Sequence, residues 1–410
     1  MLLSAAPMFA AEPTTTAANA INALGVDLLR QSVKPGANAL LSPYSIQSAL
    51  AMTYAGADGD TRTEMLRVLH YPDDDAEVHR SFAALRKSLE DVIQKSVREA
   101  EQMQKRGGKI DPITLTMANR LFGQTGYAFR EPFLKLVKDD YDAPLELLDF
   151  AKNPPGTTKH INAWVEDQTR HRIRDLIPAG ALKDITRLVL VNAIYLKAPW
   201  ADEFPKFATR PQTFYLGANN LINVPMMTAQ RSLGYARRDG STVLAIPYLG
   251  GDLQFLILLP EKVDGLANLE KKLTARLLAD GAALERKDVI LHLPKSKLEP
   301  PTMSLGRELQ ALGMKSAFDQ PRGSANFDRI APRRPDDYLC ISEVFHKTFL
   351  NLDETGTEAA AATAAAMFIG SAVREKPKPI EVRADHPFLF AIQHRSSGAC
   401  LFLGHVSDPR

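Results

Sequence analysis

Residues 341–366 read ISEVFHKTFLNLDETGTEAAAATAAA, a strand-like segment that runs into a tract of small residues. Alanine is the best helix former, yet a tract of roughly a dozen residues makes only a marginal helix on its own. Small side chains can also enter a gap between two packed strands, where large or charged side chains cannot. The tract therefore has three interpretations: a short helix, a plain linker, or a strand that has yet to join a sheet.

The strand interpretation makes a prediction about side-chain direction, because alternate residues of a strand face the same side. Thr357 would face inward, and Glu358, the one charged residue of the tract, would face solvent. The inward set would continue with Ala359, Ala361, Thr363 and Ala365.

The segment after the alanines completes a long interruption of the strand pattern. It reads MFIGSAVRE over 367–375 and KPKP over 376–379. Loops of this length are uncommon inside compact domains and are usually functional or disordered. We expect the KPKP run to stay extended and stiff.

Strong strand patterns flank this interruption. Leu188 to Leu196 (LVLVNAIYL) is typical of a strand buried on both faces, and Leu253 to Leu259 is similar. Pro387 to Gln393 and Gly398 to Val406 predict a hairpin, since only His394–Ser397 separates them.

Helical patterns dominate the first 180 residues. Apolar spacing predicts helices over 17–32 and 74–106, and Ser42-Pro43 is typical of a capped helix start. The charges of the 74–106 helix suit either a solvated face or a polyanion site, and the solvated face is favoured. With no clean linker, residues 17–410 form one α+β domain, and residues 1–16 are a signal remnant or a disordered N-terminus.

Composition excludes several classes of protein. The 410 residues are 45% apolar and 24% charged, with 50 basic and 48 acidic side chains. This near balance gives no general attraction to nucleic acid or to an anionic membrane. Two cysteines, Cys340 and Cys400, are too few for a disulfide framework and are expected to be buried free thiols.

Catalytic and cofactor motifs are missing from the sequence. It has no HExxH, GxSxG, GxxxxGK, GxGxxG or CxxC motif, so we expect neither an enzyme nor a cofactor or metal site. Asn192 interrupts an apolar strand, and a buried amide needs a partner because leaving it unpaired costs ~1–3 kcal/mol. Four residues are candidates for one hydrogen-bonded network: Ser42, Ser45, Asn192 and His346.

Several segments in a fixed order resemble the serpin family over nearly the whole chain from about residue 18. They are NALLSPYSIQSALAMTYAGADGDTRTEM (38–65), INAWVEDQTRHRIRDLIP (161–178), TRLVLVNAIYLKAPW (186–200), residues 341–364, ADHPFLFAI (384–392) and LFLGHVSDP (401–409). The resemblance implies the α+β serpin fold, with helices on three β-sheets, a large mixed central sheet and an exposed reactive loop at about 356–383.

The resemblance also implies roles for particular residues. Ser42, Ser45, Asn192 and His346 would form the "shutter" under the main sheet, and Trp200 would lie in the "breach" where insertion begins. The loop's hinge would comprise Glu354 at its base, then Gly356, Thr357, Glu358, Ala359, Ala360, Ala361, Ala362 and Thr363.

The implied function is inhibition of serine or cysteine proteases by loop insertion, a form of strand addition that releases stored strain. The protease forms an acyl-enzyme with the loop, and the cleaved loop then enters the sheet between the strands at 188–196 and 341–353. About fifteen residues at ~3.3 Å each would carry the tethered protease roughly 50 Å. The native state must then be kinetically trapped.

The resemblance implies a covalent 1:1 complex of a monomer with its protease, no nucleic-acid or membrane partner, and an extracellular or periplasmic location. Residues 1–12 are either the end of a secretory signal or a frayed terminus. The main rival is a non-inhibitory serpin acting as a carrier, chaperone or storage protein, which the Ala/Thr hinge argues against. An ordinary enzyme on another fold is the second rival.

Counting from Gly356 along the usual hinge length places the scissile bond at Gly370–Ser371. Phe368 and Ile369 are neighbouring alternatives that favour chymotrypsin-, subtilisin- or elastase-like proteases. Arg374 would suit a trypsin-like protease but would lengthen the insert by four residues. Thr357→Arg or Ala361→Pro should each block insertion and convert the inhibitor into a substrate.

Overall fold

The computed structural model describes residues 13–32, 36–335, 337–358 and 378–410. Its α-helices are α1 (Thr15–Ser32), α2 (Pro43–Tyr54), α3 (Gly59–Val68), α4 (Asp75–Lys105), α5 (Glu131–Tyr141), α6 (Pro154–Gln168), α7 (Leu266–Lys272), α8 (Ala275–Asp280) and α9 (Gly306–Ala311). Short 3₁₀ helices cover Lys206–Ala208, Gly281–Ala283 and Ser316–Phe318.

The strands of the first half of the chain are β1 (Ala39–Leu41), β2 (Thr114–Gln124), β3 (Leu145–Leu148), β4 (Leu188–Pro199), β5 (Arg210–Gly217) and β6 (Asn220–Arg238). The later strands are β7 (Ser241–Pro247), β8 (Leu253–Pro260), β9 (Arg286–Pro294), β10 (Ser296–Leu298), β11 (Met303–Ser304), β12 (Phe345–His346), β13 (Leu350–Asp353), β14 (Gly356–Thr357), β15 (Ile380–Arg383), β16 (Phe388–His394) and β17 (Cys400–Val406).

These strands form three sheets. A nine-stranded sheet has the order β1-β17-β16-β8-β7-β6-β9-β15, with β5 on β6. A six-stranded sheet has the order β10-β13-β14-β4-β2-β3, and it is mixed because β2 pairs with β3 in parallel and with β4 antiparallel. Strands β11 and β12 form a small third sheet. The expected α+β class is confirmed.

Strand β4 is covered on both faces, as its apolar run predicts. Val189, Val191 and Ala193 share a cluster with Ile161 and Val165 of α6. The alternate side chains belong to the main core; they include Leu190, Ile194 and Leu196, with Ile46 and Leu50 of α2. The middle of the six-stranded sheet is therefore packed between α6 and α2.

The three helix predictions hold: 17–32 matches α1, 74–106 matches α4, and the capped start at Ser42-Pro43 matches α2. Ser42 caps α2, since its hydroxyl accepts a hydrogen bond from the backbone N–H of Ser45 and Pro43 opens the helix. Helix α4 buries Phe82, Leu85 and Leu89, whereas Ile93 and Val97, which follow at helical spacing, are only half-buried. Both cysteines are free thiols; Cys400 is buried but Cys340 is only partly buried, so the expectation for Cys340 was wrong.

Candidate functional site

The site is a lane in the six-stranded sheet between β4 and the chain segment that ends in β13. Halfway along β4, Ala193 forms a parallel bridge with Lys347. Five residues further along both strands (193 to 198 and 347 to 352), the chain of β14 lies between them: Thr357 pairs with Ala198 on one side and with Leu352 on the other. The two strands thus meet at one end, the closed end, and diverge at the other, the hinge end.

Strand β14 is antiparallel to both of its neighbours. The next residue, Glu358, also donates its backbone N–H to the carbonyl of Asn351, at 2.8 Å. Gly356 has φ +149°, and an added Cβ would lie 2.2 Å from the carbonyl oxygen of Ala198, so no other residue fits there. The start of the predicted loop is therefore already a short strand of the sheet.

Glu354, which the resemblance places at the base of the hinge, lies two residues before β14 at the hinge end of the lane. One carboxylate oxygen lies 2.7 Å from Lys295 Nζ and the other accepts a hydrogen bond of 2.9 Å from the hydroxyl of Thr209. Burial alone would raise the pKa of this carboxyl, but the contacts with Lys295 and Thr209 lower it below its ordinary value. Glu354 is thus ionised and held by both partners at neutral pH.

Trp200, the predicted breach residue, is fully buried beside β14. Its indole N–H donates to the carbonyl of Asp353 at 3.0 Å, and its backbone N–H donates to the carbonyl of Thr355 at 2.9 Å. Its ring stacks on Tyr248, with centroids 4.7 Å apart and planes at 5°. The hydroxyl of Tyr248 is in turn 2.6 Å from the hydroxyl of Thr357, so the aromatic pair contacts the hinge directly.

Thr357 faces the core and is fully buried, as the alternation predicts. Glu358 faces the other side of the sheet, but the prediction that it faces solvent was wrong. Its side chain is only 8% exposed and its carboxylate forms an ion pair with Arg172. The reason is that the chain between α6 and β4, which carries Arg172, covers this face of the lane.

The four predicted shutter residues come together beneath the closed end. The backbone N–H of Ser42 donates to His346 Nε2 at 3.0 Å, and the Ser45 hydroxyl contacts the side-chain oxygen of Asn192. The side-chain amide of Asn192 donates to the Ser45 carbonyl at 2.6 Å and to the side chain of Asn119. Asn192 thus has partners on α2 and on β2, which satisfies the buried amide.

His346 is an acceptor in this cluster and is therefore neutral at Nε2. Burial lowers its pKa to about 3, far below its ordinary value, because the charged imidazolium would be desolvated. Its other ring nitrogen, Nδ1, is buried and has no hydrogen-bond partner among the described residues. The cluster is therefore built for a neutral histidine.

The remaining predicted site residues lie outside the described residues: Ala359, Ala360, Ala361, Ala362 and Thr363 of the hinge, and Phe368, Ile369, Gly370, Ser371 and Arg374 around the scissile bond. Within the described ranges, strands β14 and β15 occupy the two ends of the 356–383 segment. The part of the chain that the structure describes has no cluster of His, Cys, Asp and Glu that could hold a metal ion. None of its helices is both long and apolar enough to cross a bilayer.

Sequence reasoning missed Lys295, Thr209, Tyr248 and Arg172, which hold the hinge residues in place. Each lies at least 59 positions from its hinge partner along the chain, so no local pattern links them. The sequence carried no signal for Arg172 either, because Glu358 was expected to face solvent, where a carboxylate needs no basic partner.

Comparison with known proteins agrees with this geometry. Residues 19–409 match the family model of the serpins, described as serine protease inhibitors. A serpin-like protein of Thermococcus kodakarensis is 37% identical, over 96% of this chain and 85% of its own length. The leukocyte elastase inhibitor of Bos taurus is 36% identical, over 96% of this chain and 99% of its own. The structure of a cleaved serpin, Serpin 42Da, has a TM-score of 0.79 at 34% identity and covers 97% of this chain and 100% of that one.

Proposed function

The chain belongs to the serpin family, and on that premise we propose that it is a suicide-substrate inhibitor of serine or cysteine proteases. The observation that carries the proposal is β14. The first two residues of the loop are paired with both walls of the lane, in the antiparallel direction that further insertion would extend. The names of relatives, such as the leukocyte elastase inhibitor, also support a protease as partner.

The proposed mechanism uses this geometry in sequence. A protease nucleophile attacks the loop and forms an acyl-enzyme, and cleavage frees the residues that follow Thr357. These residues extend β14 toward the closed end, displacing the bridge between Ala193 and Lys347. Each new ladder hydrogen bond contributes about 0.5–1.5 kcal/mol net, so insertion of a whole strand drives the trapping.

Composition supports inhibition over the carrier, chaperone or storage alternative. Thr357 and the alanines after it carry no bulky or charged side chain on the inward face. Family members without inhibitory activity tend to have bulky, charged or proline residues in this position. We keep Gly370–Ser371 as the proposed scissile bond, with Phe368, Ile369 and Arg374 as alternatives, and an extracellular or periplasmic location as the proposed compartment.

The test is a panel of serine and cysteine proteases incubated with the protein and resolved on denaturing gels. We expect a covalent 1:1 complex that survives SDS with at least one protease, and a higher melting temperature for the cleaved protein. Mass spectrometry of the C-terminal fragment would identify the bond, and a fragment starting at Glu375 would favour Arg374.

Cleavage that gives neither a complex nor thermal stabilisation would refute the proposal. Fractionation of the producing cells would test the compartment.

A further inference from the structure

We infer that Arg172 is a positioning residue for the reactive loop: by pairing with the buried carboxylate of Glu358, it keeps the first two loop residues inside the sheet. The inference rests on the proposed function for its consequence, but not for the docking itself. It concerns the hinge end of the lane, where the loop leaves the sheet.

The contact joins two distant parts of the chain. Arg172 lies in the segment between α6 and β4, and its Nε contacts a carboxylate oxygen of Glu358. The guanidinium also lies over the ring of Phe349, 5.4 Å from its centroid, directly before β13. Arg172 is 50% exposed whereas Glu358 is 8% exposed, so the charge that is withdrawn from water is the carboxylate.

The other cations near Glu358 have their own contacts, and Tyr195 is a neutral hydrogen-bond partner of its carboxylate. Lys197 of β4 pairs with Asp111 at 2.7 Å, and Arg170 lies 5.9 Å from the ring centroid of Tyr195. The Tyr195 hydroxyl also lies near Glu358; burial and the Glu358 charge raise its pKa to about 12. On the β10 side, Lys297 lies over Phe349 at 5.6 Å. Arg172 is therefore the cation that contacts the carboxylate.

Burial and the charge of Arg172 act in opposite directions on the carboxyl of Glu358. Burial raises the pKa of its carboxyl, the charge of Arg172 opposes that increase, and the pKa remains above its ordinary value. Glu358 also adopts φ +53°, a left-handed conformation that is unfavourable for a non-glycine residue. The docked hinge therefore carries two costs, the buried carboxylate and the left-handed backbone of Glu358. Arg172 offsets the first of them, so docking depends on Arg172.

Removing one partner of a buried ion pair leaves an uncompensated charge, while removing both is often nearly neutral. Without Arg172, the unpaired carboxylate of Glu358 should favour solvent, and β14 should then leave the sheet. A neutral side chain at position 358 has no such preference for solvent, so β14 should stay docked. The role assigned to Arg172 therefore predicts an asymmetric response of the two single variants and a rescue in the double variant.

The functional consequence concerns the race between insertion and hydrolysis of the acyl-enzyme. A docked β14 already supplies the first paired residues of the inserting strand, so insertion starts from a formed end. If the hinge is undocked, this end must form after cleavage. More acyl-enzyme should then be hydrolysed, and more inhibitor should be consumed for each protease trapped.

The experiment compares the full chain with Arg172→Gln, Glu358→Gln, the double variant, and Arg170→Gln as a matched control from the same segment. Hydrogen exchange of a peptide covering residues 351–358 reports docking without any protease, because the Glu358 amide bonds to Asn351. We expect at least tenfold faster exchange in Arg172→Gln, and exchange within twofold of the wild type in the other three. Arg172→Lys should retain most of the protection.

Acid pH provides a second, independent rescue. Protonation of Glu358 removes the charge that Arg172 offsets, and a raised pKa means that the docked state binds this proton more tightly. The excess exchange of Arg172→Gln over the wild type at the same pH should therefore shrink as the pH falls through the carboxyl's pKa. Glu358→Gln should show no such pH-dependence.

Stoichiometry of inhibition, measured with a protease that the wild type traps, tests the consequence: it should rise at least twofold in Arg172→Gln and return in the double variant. Wild-type exchange in Arg172→Gln would overturn the inference. So would fast exchange in the double variant, since Arg172 would then act through the fold and not through Glu358. If the wild type traps no protease, the proposed function fails while the exchange result still decides the docking.

Discussion

The hinge end and the closed end of the lane between β4 and β13 are occupied in different ways. At the hinge end, a piece of the loop fills the lane, and its contacts are an aromatic stack and two ion pairs that involve Glu354 and Glu358. At the closed end, the strands meet directly at the bridge between Ala193 and Lys347, above a buried polar network. In the proposed mechanism, one end already contains the first residues of the inserting strand, and the other end would have to open to receive the rest.

The difference between the two ends suits a sheet that is stable as it stands and that could accept a further strand in the proposed mechanism. Opening the closed end would leave the buried hydrogen-bond partners of Asn192 and His346 unsatisfied, in addition to His346 Nδ1, which already lacks a partner among the described residues, so this end resists gradual opening. The hinge end offers ladder positions that extend without breaking that network until the insert reaches it. The variants below alter one end at a time.

The largest expected effect is at the hinge end, with Thr357→Arg. Thr357 is fully buried against Tyr248, and a guanidinium in that position would be desolvated without a partner. We expect β14 to leave the sheet and insertion to stop, so that the protease cleaves the loop and is released. Gel assays should show cleaved protein and no covalent complex.

Thr357→Ser is the matched control, because it keeps the hydroxyl that faces Tyr248 and adds no volume. It should retain the complex and the stoichiometry of the wild type. Undiminished trapping by Thr357→Arg would mean that insertion does not pass through the position that β14 now occupies. Ala361→Pro, which falls outside the described residues, should give the same substrate behaviour.

The contrast between the ends also shows what the sequence could predict. Helix α2, strand β4 and the β16–β17 hairpin follow from caps, apolar runs and turns, all of which are local signals. The 11-residue strand β2 was missed, because its burial is mixed and its pairing with β4 is not local.

For the site, the family resemblance placed Ser42, Asn192 and His346 together, and the structure shows them in one network. Alternation placed Thr357 inward but left Glu358 in solvent. What covers the outer face depends on the chain after α6, nearly two hundred positions away. Parity along a strand defines two faces, but it does not tell which of them is exposed.

The next largest effect concerns pH at the closed end. Burial lowers the pKa of His346 to about 3, so below about pH 6.5 the unfolded chain binds a proton that the folded chain excludes. Stability should therefore fall as the pH drops from 6.5 toward 3, by about 1.4 kcal/mol per unit at most. Denaturant unfolding at pH 7 and pH 5 should differ by about 2 kcal/mol from this group alone.

His346→Gln isolates that contribution, since glutamine can accept the Ser42 N–H but does not titrate. Burial also lowers the pKa of His79 and His394, which remain in both proteins and cancel in the difference. The variant should lose less stability between pH 7 and 5 than the wild type. Equal losses in the two proteins would show that His346 is not held neutral.

Asn192→Ala should have a smaller effect, again at the closed end. It removes the amide that joins Ser45 of α2 to Asn119 of β2 and leaves their polar groups buried without it. We expect the free energy of unfolding to fall by about 1–2 kcal/mol, with faster spontaneous loosening of the lane. Asn119→Ala, which removes one contact of the same amide, is the control and should cost less than half as much.

The smallest effect is expected where the hinge meets the aromatic pair. Tyr248→Phe removes only the hydroxyl that contacts Thr357, and Thr357→Val removes the other half of the same hydrogen bond. Each single variant leaves a buried hydroxyl without its partner, at a cost of about 1 kcal/mol, and the double variant, which leaves no such hydroxyl, should cost about as much as either single variant. A coupling energy near 1 kcal/mol in the double-mutant cycle, read from denaturant unfolding, would place this bond in the native uncleaved state. Additive losses would mean that Thr357 spends most of its time outside the sheet. The hinge end of the lane would then be unoccupied, while the strands at the closed end remain in direct contact.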